Sequence, residues 1–119
     1  PPMRMRTVTY DVFDVVVVPF PFTDRVATRR RPAVVLSRAR ALGEKPGRSV
    51  LAMITSADNP PWPLDVPVKG QAAAGLPSPS LIRMKLFTLD HGLILRKVGR
   101  LGRADQQQVR ESLRALLPV

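Results

Sequence analysis

The residues best suited to chemistry in this sequence are an arginine and two hydroxyl residues at the ends of neighbouring apolar runs. Arg31 directly precedes a proline and the apolar run Ala33–Ser37. Thr55 and Ser56 close the next apolar run along the chain. A guanidinium offers a bidentate fork to a phosphate, and a hydroxyl adds one further donor. Such a set can hold a phosphodiester and stabilise the charge that develops on it.

The elements that must position these residues are β-strands. The stretches 12–19, 33–37 and 49–56 are rich in valine and isoleucine and are predicted to be the first three strands. If the second and third strands are antiparallel neighbours, the start of one lies beside the end of the other. Arg31 and Thr55 would then share one edge of the sheet. The alternatives to a shared site are that Arg31 forms a structural salt bridge and that Thr55 is present only for its β propensity.

Such a pair suits cleavage of RNA without a metal ion, because the 2′-OH is an internal nucleophile. The site must stabilise a pentavalent phosphorus and deliver a proton to the departing 5′-oxygen. Arginine suits both tasks but stays protonated, so it is a poor general base. The chain has no cysteine, one histidine and no Gly-rich phosphate loop. These absences exclude a zinc–thiolate site, a cysteine nucleophile and a two-histidine metal site, so we expect no metal and no cofactor.

Composition indicates the kind of partner. The formal net charge is +10, with 19 basic against 9 acidic residues, and 15 of the 19 are arginine. A small chain this basic is expected to bind nucleic acid, an acidic protein, or both. No apolar run reaches the ~20 residues of a membrane span, and no signal peptide is evident, so we expect a cytoplasmic protein. With 119 residues we expect one domain, with residues 1–7 flexible and Pro1-Pro2 a remnant of expression.

The rest of the chain predicts a mainly β fold. The arm Pro19–Thr28 is expected to leave the sheet and to form a mobile cover over substrate. Leu64–Val68 is predicted to be a short edge strand, and Leu81–Leu89 with Leu93–Val98 a hairpin. The final helix is predicted to begin at an Asp105 N-cap, with a capping box to Gln108. Its apolar stripe runs through Val109, Leu113, Leu116 and Leu117. Many short strands and one terminal helix predict a twisted antiparallel sheet or partly open barrel.

Other candidate residues favour ordinary roles. Asp11 and Asp14 are expected to point to opposite faces of an extended segment, which disfavours a paired-carboxylate metal site. His91 precedes a glycine and is interpreted as a turn residue. Trp62 suits stacking on a base or packing under a loop equally well. Phe20 and Phe22 could face a ligand or anchor the arm to the core, and anchoring is the expected role.

The chain resembles the MazF/PemK (Kid-like) toxins of bacterial type II toxin–antitoxin systems. The resemblance runs from about residue 13 to residue 117. It is carried by FDVVVVPFPFTD, RRRPAVVLS, the AMITS strand end, GLPSPSLIRMKLFTLD and ILRKVGRL, in that order.

The resemblance implies an SH3-like β-barrel with a C-terminal helix, usually a homodimer. It implies metal-independent endoribonuclease activity that leaves 2′,3′-cyclic phosphate and 5′-OH ends on single-stranded RNA, and an acidic antitoxin that covers the RNA groove. The family's catalytic arginine and threonine fall on Arg31 and Thr55. The further RNA-contacting candidates are Thr23, Asp24, Arg29, Arg30, Ser56, Ser80, Arg83 and Lys85.

One departure affects the chemistry. Kid-like members carry an arginine and an acidic residue two apart in a later strand; here Arg83 matches the arginine, but Lys85 stands in place of the acid. Two rival functions stay open: a non-enzymatic gyrase poison like CcdB, and an RNA-binding module with a dead site. The ending Leu116–Val119 lacks the Trp-Gly-Ile tail of CcdB-like chains, which argues against the first rival.

Overall fold

The molecule is built on six antiparallel strands and a C-terminal helix. The computed structural model describes residues 9–20, 29–45 and 47–118. The strands are β1 (Asp14–Phe20), β2 (Arg29–Val35), β3 (Arg48–Ser56), β4 (Val66–Pro67), β5 (Ser80–Asp90) and β6 (Arg96–Arg100), and the helix is α1 (Arg103–Leu116). They form one sheet in the order β4-β5-β3-β2-β1-β6. The predicted mainly β fold with a C-terminal helix is confirmed.

Alternation along the strands gives the curled sheet two apolar faces. Val15, Val34 and Ile54 pack on one face with Val109 of α1. Val16, Val18, Ala33, Val35 and Leu51 pack on the other, under Tyr10 and Ile94. Successive strand residues point to opposite faces, so the valine run of β1 serves both. Burying each such side chain contributes about 1.5–3 kcal/mol.

The predicted hairpin is wrong. β5 pairs with β3 along most of its length and with β4 only at Ile82 and Leu81, and β6 does not pair with it. The chain turns through a short 3₁₀ segment, His91–Leu93, and β6 pairs with β1 instead. His91 lies in this turn, as predicted, with Nε2 2.8 Å from the Ser49 hydroxyl.

Two strand boundaries also differ from the prediction. β2 begins at Arg29, four residues early, because β1 extends to Phe20 and pairs with the whole arginine run. Phe20 therefore lies in the sheet and not in an arm. β6 reaches only as far as Val17 on β1, so Pro19 lies where β1 has no partner on that side. The remainder of the predicted arm, with Phe22, Thr23 and Asp24, lies outside the described residues.

The helix begins at a different residue from the one predicted. Its N-cap is Gly102, and Asp105 lies in the first turn. The Asp105 carboxylate is buried and accepts the backbone N–H groups of Lys69 and Gly70, at 2.9 and 2.8 Å. It therefore ties the 69–76 segment to the helix and does not cap it. In the predicted apolar stripe Val109 is buried, whereas Leu116 and Leu117 are exposed.

No helix among the described residues has the length and apolar character needed to cross a membrane.

A glycine in β6 permits close packing of the 71–76 segment, whose last residue, Leu76, lines a concavity described below. The backbone N–H of Arg100 donates to the Ala73 carbonyl at 3.0 Å. A Cβ on Gly99 would collide with the backbone carbonyl groups of Ala73 and Ala74, which cannot move as a flexible side chain would. A Cβ on Gly92 would meet nothing.

We expect Gly99→Ala to lower the free energy of unfolding by about 1–3 kcal/mol, the usual cost of forcing atoms into a packed region. The matched control, Gly92→Ala, should change it by less than about 1 kcal/mol, with the sign favouring stability. Urea unfolding followed by circular dichroism measures both. Equal stabilities for the two variants would show that β6 and the 71–76 segment are not packed as described.

Candidate active site

The register of three strands brings Arg31 and Thr55 to one place. In β1–β2 pairing Arg31 lies opposite Val18. β2–β3 pairing sets Ala33 opposite Met53, and the same register continued by two residues places Arg31 opposite Thr55. The predicted antiparallel neighbourhood of β2 and β3 is thus found. Because Arg31 lies two residues from Ala33, and Thr55 two from Met53, each pair points to the same face.

Two concavities meet at this pair. The first, of about 300 Å³, is lined by the arginine run of β2, the end of β3 and the 76–80 segment. The second, of about 320 Å³, is lined by β1, β3, β5 and the turn after β3. Within the described part of the chain, Arg31 and Thr55 are the two residues that line both. A chain of several nucleotides could lie across the concavities with one phosphate between these two side chains.

All the sequence-derived candidates that fall within the described residues line one of these concavities. The first contains Arg29, Arg30, Ser56 and Ser80. The second contains Arg83 and Lys85. The two remaining candidates, Thr23 and Asp24, lie outside the described residues.

The surface is strongly cationic. Five basic side chains of the described residues line the two concavities: Arg29, Arg30, Arg31, Arg83 and Lys85. No carboxylate among the described residues lines either of them. Clustered guanidinium groups around a concave surface are typical of phosphate recognition.

Arg31 packs against an aromatic ring, but one of its hydrogen-bond donors has no partner among the described residues. Its guanidinium lies 5.2 Å from the ring centroid of Phe20, within the range of a cation–π contact. Its Nε is buried and has no hydrogen-bond partner among the described residues. A buried donor without a partner costs about 1–3 kcal/mol, so this N–H group is suited to donate to a ligand oxygen. The alternative role for Arg31, a structural salt bridge, is not seen, since no carboxylate among the described residues pairs with Arg31.

The hydroxyl side chains differ in availability. Asn59 Nδ2 donates to Thr55 Oγ1 at 2.5 Å, which leaves the Thr55 hydroxyl proton free to be donated elsewhere. Ser56 Oγ accepts the backbone N–H of Asp58 at 3.2 Å. Ser80 Oγ donates to the Ser78 carbonyl at 2.8 Å. Thr55 is therefore the hydroxyl best placed to donate into both concavities.

Arg83 reaches its place through an irregularity in β5. Pairing with β3 shifts between Ala52, opposite Leu86, and Met53, opposite Arg83. Two residues of β5, one of them Lys85, are left between these pairs. A shift of two residues keeps the face of the sheet, so both basic side chains still reach the second concavity.

Arg83 is fixed by a carboxylate that sequence analysis missed. Its Nε and Nη2 donate to the two Asp65 oxygens at 3.2 and 3.0 Å, and Nη2 also donates to the Pro60 carbonyl at 2.8 Å. The Arg83 and Asp65 side chains are only 12% and 6% exposed. The guanidinium lies 4.7 Å from the Trp62 ring centroid, and Lys85 Nζ lies 5.9 Å from it.

Of the two predictions for Trp62, packing under a loop is wrong and stacking on a base stays a prediction. The ring is half exposed and packs against two cations, so it does not lie under a loop. Asp65 lies 18 residues before Arg83, and no local spacing in the sequence marks the pair. Asn59, four residues after Thr55 in a turn, is the one contact that local sequence could have suggested.

The acidic residues near the first strand serve the fold. Asp14 forms ion pairs with Lys97 and Arg100, at 3.0 and 3.2 Å. Asp11 Oδ1 accepts the backbone N–H groups of Ala39 and Val12, and these bonds lower the pKa of its carboxyl. Within the described ranges no three His, Asp or Glu side chains gather in one place.

Comparison with known proteins identifies the family. The model of the PemK-like, MazF-like toxins of type II toxin–antitoxin systems matches residues 11–117. The match spans most of the chain, which therefore belongs to the PemK/MazF family of type II toxin–antitoxin toxins. No curated protein sequence matches it significantly.

Solved structures share the fold at low sequence identity. A MazE–MazF complex from Deinococcus radiodurans is 22% identical, with a TM-score of 0.71, and the match covers 92% of this chain and 96% of that one. The Mycobacterium tuberculosis toxin MazF-mt6 is 19% identical, with a TM-score of 0.69 and coverage of 89% and 97%. An endoribonuclease in complex with its cognate antitoxin, from a mycobacterial species, is 13% identical, with a TM-score of 0.69 and coverage of 93% and 95%. At these identities the likeness shows the fold.

The Asp65 carboxyl has a pKa below its ordinary value. Burial opposes its ionisation, but the hydrogen bonds from Arg83 and from the Trp62 N–H, with the Arg83 charge, outweigh burial. A carboxyl whose pKa is lowered by folding stabilises the fold above its unfolded-state pKa of about 3.9. That contribution is lost as the pH falls through the lower folded-state value.

We therefore expect Asp65→Asn to lower the free energy of unfolding at pH 7, by at most the ~3–5 kcal/mol typical of breaking a buried ion pair on one side. The deficit should shrink steadily below pH 4 as the wild-type carboxyl protonates. Asp90→Asn breaks the exposed Arg48–Asp90 pair and should cost about 1 kcal/mol or less. Urea unfolding at several pH values tests this. A deficit that is the same at pH 3 and pH 7 would contradict the charged pair.

Proposed function

We propose that this toxin is an endoribonuclease that cleaves single-stranded RNA at selected sequences without a metal ion. The observation that carries the proposal is that Arg31 and Thr55 are the two residues, among those that the structure describes, that line both concavities. Their surroundings are cationic and supply further phosphate contacts. The mycobacterial neighbour named as an endoribonuclease has the same fold, which adds support at the level of the family.

The proposed reaction needs groups of the RNA and of the protein, with solvent water as the proton carrier. The 2′-oxygen forms a bond to the adjacent phosphorus and passes its proton to water, while the bond from phosphorus to the 5′-oxygen breaks. The 5′-oxygen takes up a proton, so the products are a 2′,3′-cyclic phosphate and a 5′-OH, with no net gain or loss of protons. The guanidinium of Arg31 stabilises charge on the equatorial oxygens, and it can supply the proton to the 5′-oxygen and regain one from water. The Thr55 hydroxyl donates to a phosphate oxygen and fixes its orientation.

Several neighbours are assigned to binding. Arg29, Arg30 and Ser56 would hold phosphates in the first concavity, and Arg83 and Lys85 in the second. Ser80, whose hydroxyl already donates to Ser78, would shape the wall of the first. We extend the binding surface to Thr23 and Asp24 on the strength of the family resemblance. Because the proposed substrate is cellular RNA, the proposed site of action is the cytoplasm.

The proposed protein partners are an acidic antitoxin and a second copy of the chain. An acidic peptide laid over the two concavities would neutralise their arginines and exclude RNA. For the homodimer, the candidate surface is a mainly apolar groove of about 330 Å³ beside the end of α1, lined by Leu36, Val50, Leu86, Leu113 and Leu117 together with Ser37 and Arg114. Exposed apolar surface of this kind is typical of an interface.

We expect Arg31→Ala and Thr55→Val each to lower the rate of RNA cleavage in EDTA by about a hundredfold or more, because each removes a donor to charge that develops in the transition state. Arg103→Ala is the matched control for charge, since Arg103 lines neither concavity, and it should retain the wild-type rate. Release of fragments from a mixed-sequence RNA, followed on gels, measures all three. Cleavage by both site variants at the wild-type rate would contradict the assignment.

We expect Leu117→Glu to convert a dimer into a monomer, because the carboxylate would be buried among side chains that, apart from Ser37 and Arg114, are apolar. Light scattering coupled to gel filtration measures the mass at matched concentrations. Glu111→Gln, a change on the exposed side of α1, is the control and should stay dimeric. A dimer of unchanged stability in Leu117→Glu would exclude this groove as the interface.

A further inference from the structure

One short segment forms hydrogen bonds with two of the side chains that line the second concavity, Thr55 and Arg83. The segment, Asn59 to Asp65 (the proline-rich segment below), reads NPPWPLD and joins β3 to β4. Its first residue donates to Thr55, its Pro60 carbonyl accepts from Arg83, and its last residue accepts from Arg83 twice. Three prolines stiffen it by fixing φ, so contacts made by its two ends are held at a fixed separation.

Asp65 is itself held from two directions. The backbone N–H of Trp62 donates to Asp65 Oδ2 at 2.8 Å. Leu64 has φ of +67°, a left-handed conformation that is rare and strained for a residue with a side chain. The Ser112 hydroxyl on α1 donates to the Leu64 carbonyl at 3.0 Å, which retains this conformation. The helix therefore helps to turn the Asp65 carboxylate inward.

The contacts of Asp65 leave it unsuited to proton transfer. Its two oxygens together accept three N–H groups, from Arg83 Nε, Arg83 Nη2 and the Trp62 backbone. A carboxylate so bonded is a weak base. Its lowered pKa agrees with this. What it can do is hold a guanidinium in one orientation, with the remaining donors of Arg83 directed at the concavity.

We propose that Asp65 is a positioning residue of the site, which acts through Arg83 and supplies the negative charge that the family resemblance leads one to expect at position 85. The carboxylate comes from the proline-rich segment and not from β5. Position 85 is thereby free for Lys85, which adds a second cation to the same concavity. This inference rests on the proposed nuclease function. Arg83 is then oriented by Asp65, and Thr55 by Asn59, from opposite ends of one stiff segment.

The test compares Asp65→Asn with Asp58→Asn. Both remove one carboxylate from the same turn, but Asp58 is exposed and forms no ion pair with any other described residue. We expect Asp65→Asn to lower kcat for RNA cleavage about tenfold to a hundredfold, with a smaller change in KM, because misplacement of a charge-stabilising group by about 1 Å can cost a hundredfold. Asp58→Asn should stay within about twofold of wild type.

Two further kinetic readouts separate positioning from catalysis. In an Arg83→Ala background, Asp65→Asn should lower kcat no further, because the group through which it acts is gone. The pH profile of Asp65→Asn above pH 5 should keep the wild-type shape with a lower plateau. Loss of one limb of that profile would make Asp65 a general acid or base and overturn the proposal. Additive losses in the double variant would overturn it as well.

One further readout measures the orientation of Arg83 without measuring activity. The Nε–H resonance of Arg83 in NMR spectra should exchange slowly with water in the wild type and in Asp58→Asn, and should broaden or disappear in Asp65→Asn. If the wild type does not cleave RNA, the nuclease proposal fails, and the resonance still shows whether Asp65 fixes Arg83. A lost resonance with an unchanged kcat would overturn the positioning role.

A second variant covers the case in which Asp65→Asn does not fold. Asp65→Glu keeps the charge and moves it by one methylene, so thermal unfolding should stay cooperative. Its kcat should lie between those of the wild type and Arg83→Ala, with a shifted Arg83 resonance. A shifted resonance with the full wild-type kcat would contradict the proposal.

Discussion

The pairing of β2 with strands on both sides is the constraint on which the site depends. β1 fixes Arg31 opposite Val18, and β3 fixes the register that brings Thr55 beside it. A slip of one residue on either side would turn the arginine or the threonine to the opposite face. The buried valines of β1 and β2 resist such a slip, because it would also expose the apolar cores. The same apolar packing that stabilises the sheet thus sets the geometry of the two catalytic candidates.

A second constraint is electrostatic. Five cations around two adjoining concavities repel one another, and the repulsion is tolerated because their long side chains reach solvent or partners. Arg31 rests near the Phe20 ring, and Arg83 is paired with Asp65. The Arg83 side chain is therefore the most constrained of these groups. Arg31 has a buried hydrogen-bond donor without a partner among the described residues. This division suits one arginine for a fixed binding role and the other for chemistry at the phosphate.

Local sequence was sufficient to find the central pair but not its surroundings. The strands at 49–56 and near residue 66, and the proximity of Arg31 to Thr55, follow from apolar runs and antiparallel geometry. The early start of β2 was not predictable from its own residues, because the arginine run is extended by pairing with β1. The hairpin prediction followed the rule that sequential strands usually pair. Here β6 does not pair with β5, the strand before it, but with the free edge of β1. Asp105 matched an N-cap pattern, but its carboxylate is taken by the 69–70 backbone. Asp65 and Arg83 are joined only in three dimensions.

A crystal structure with bound RNA tests the central claim most directly. The RNA would span a cleavage site mapped beforehand from its 5′-OH ends, with the 2′-OH at that site replaced by hydrogen so that it cannot react. We expect the scissile phosphate to lie between the two concavities, within about 3.2 Å of both a guanidinium nitrogen of Arg31 and the hydroxyl of Thr55. A scissile phosphate bound out of reach of either side chain would contradict the claim that these two residues act on one phosphodiester.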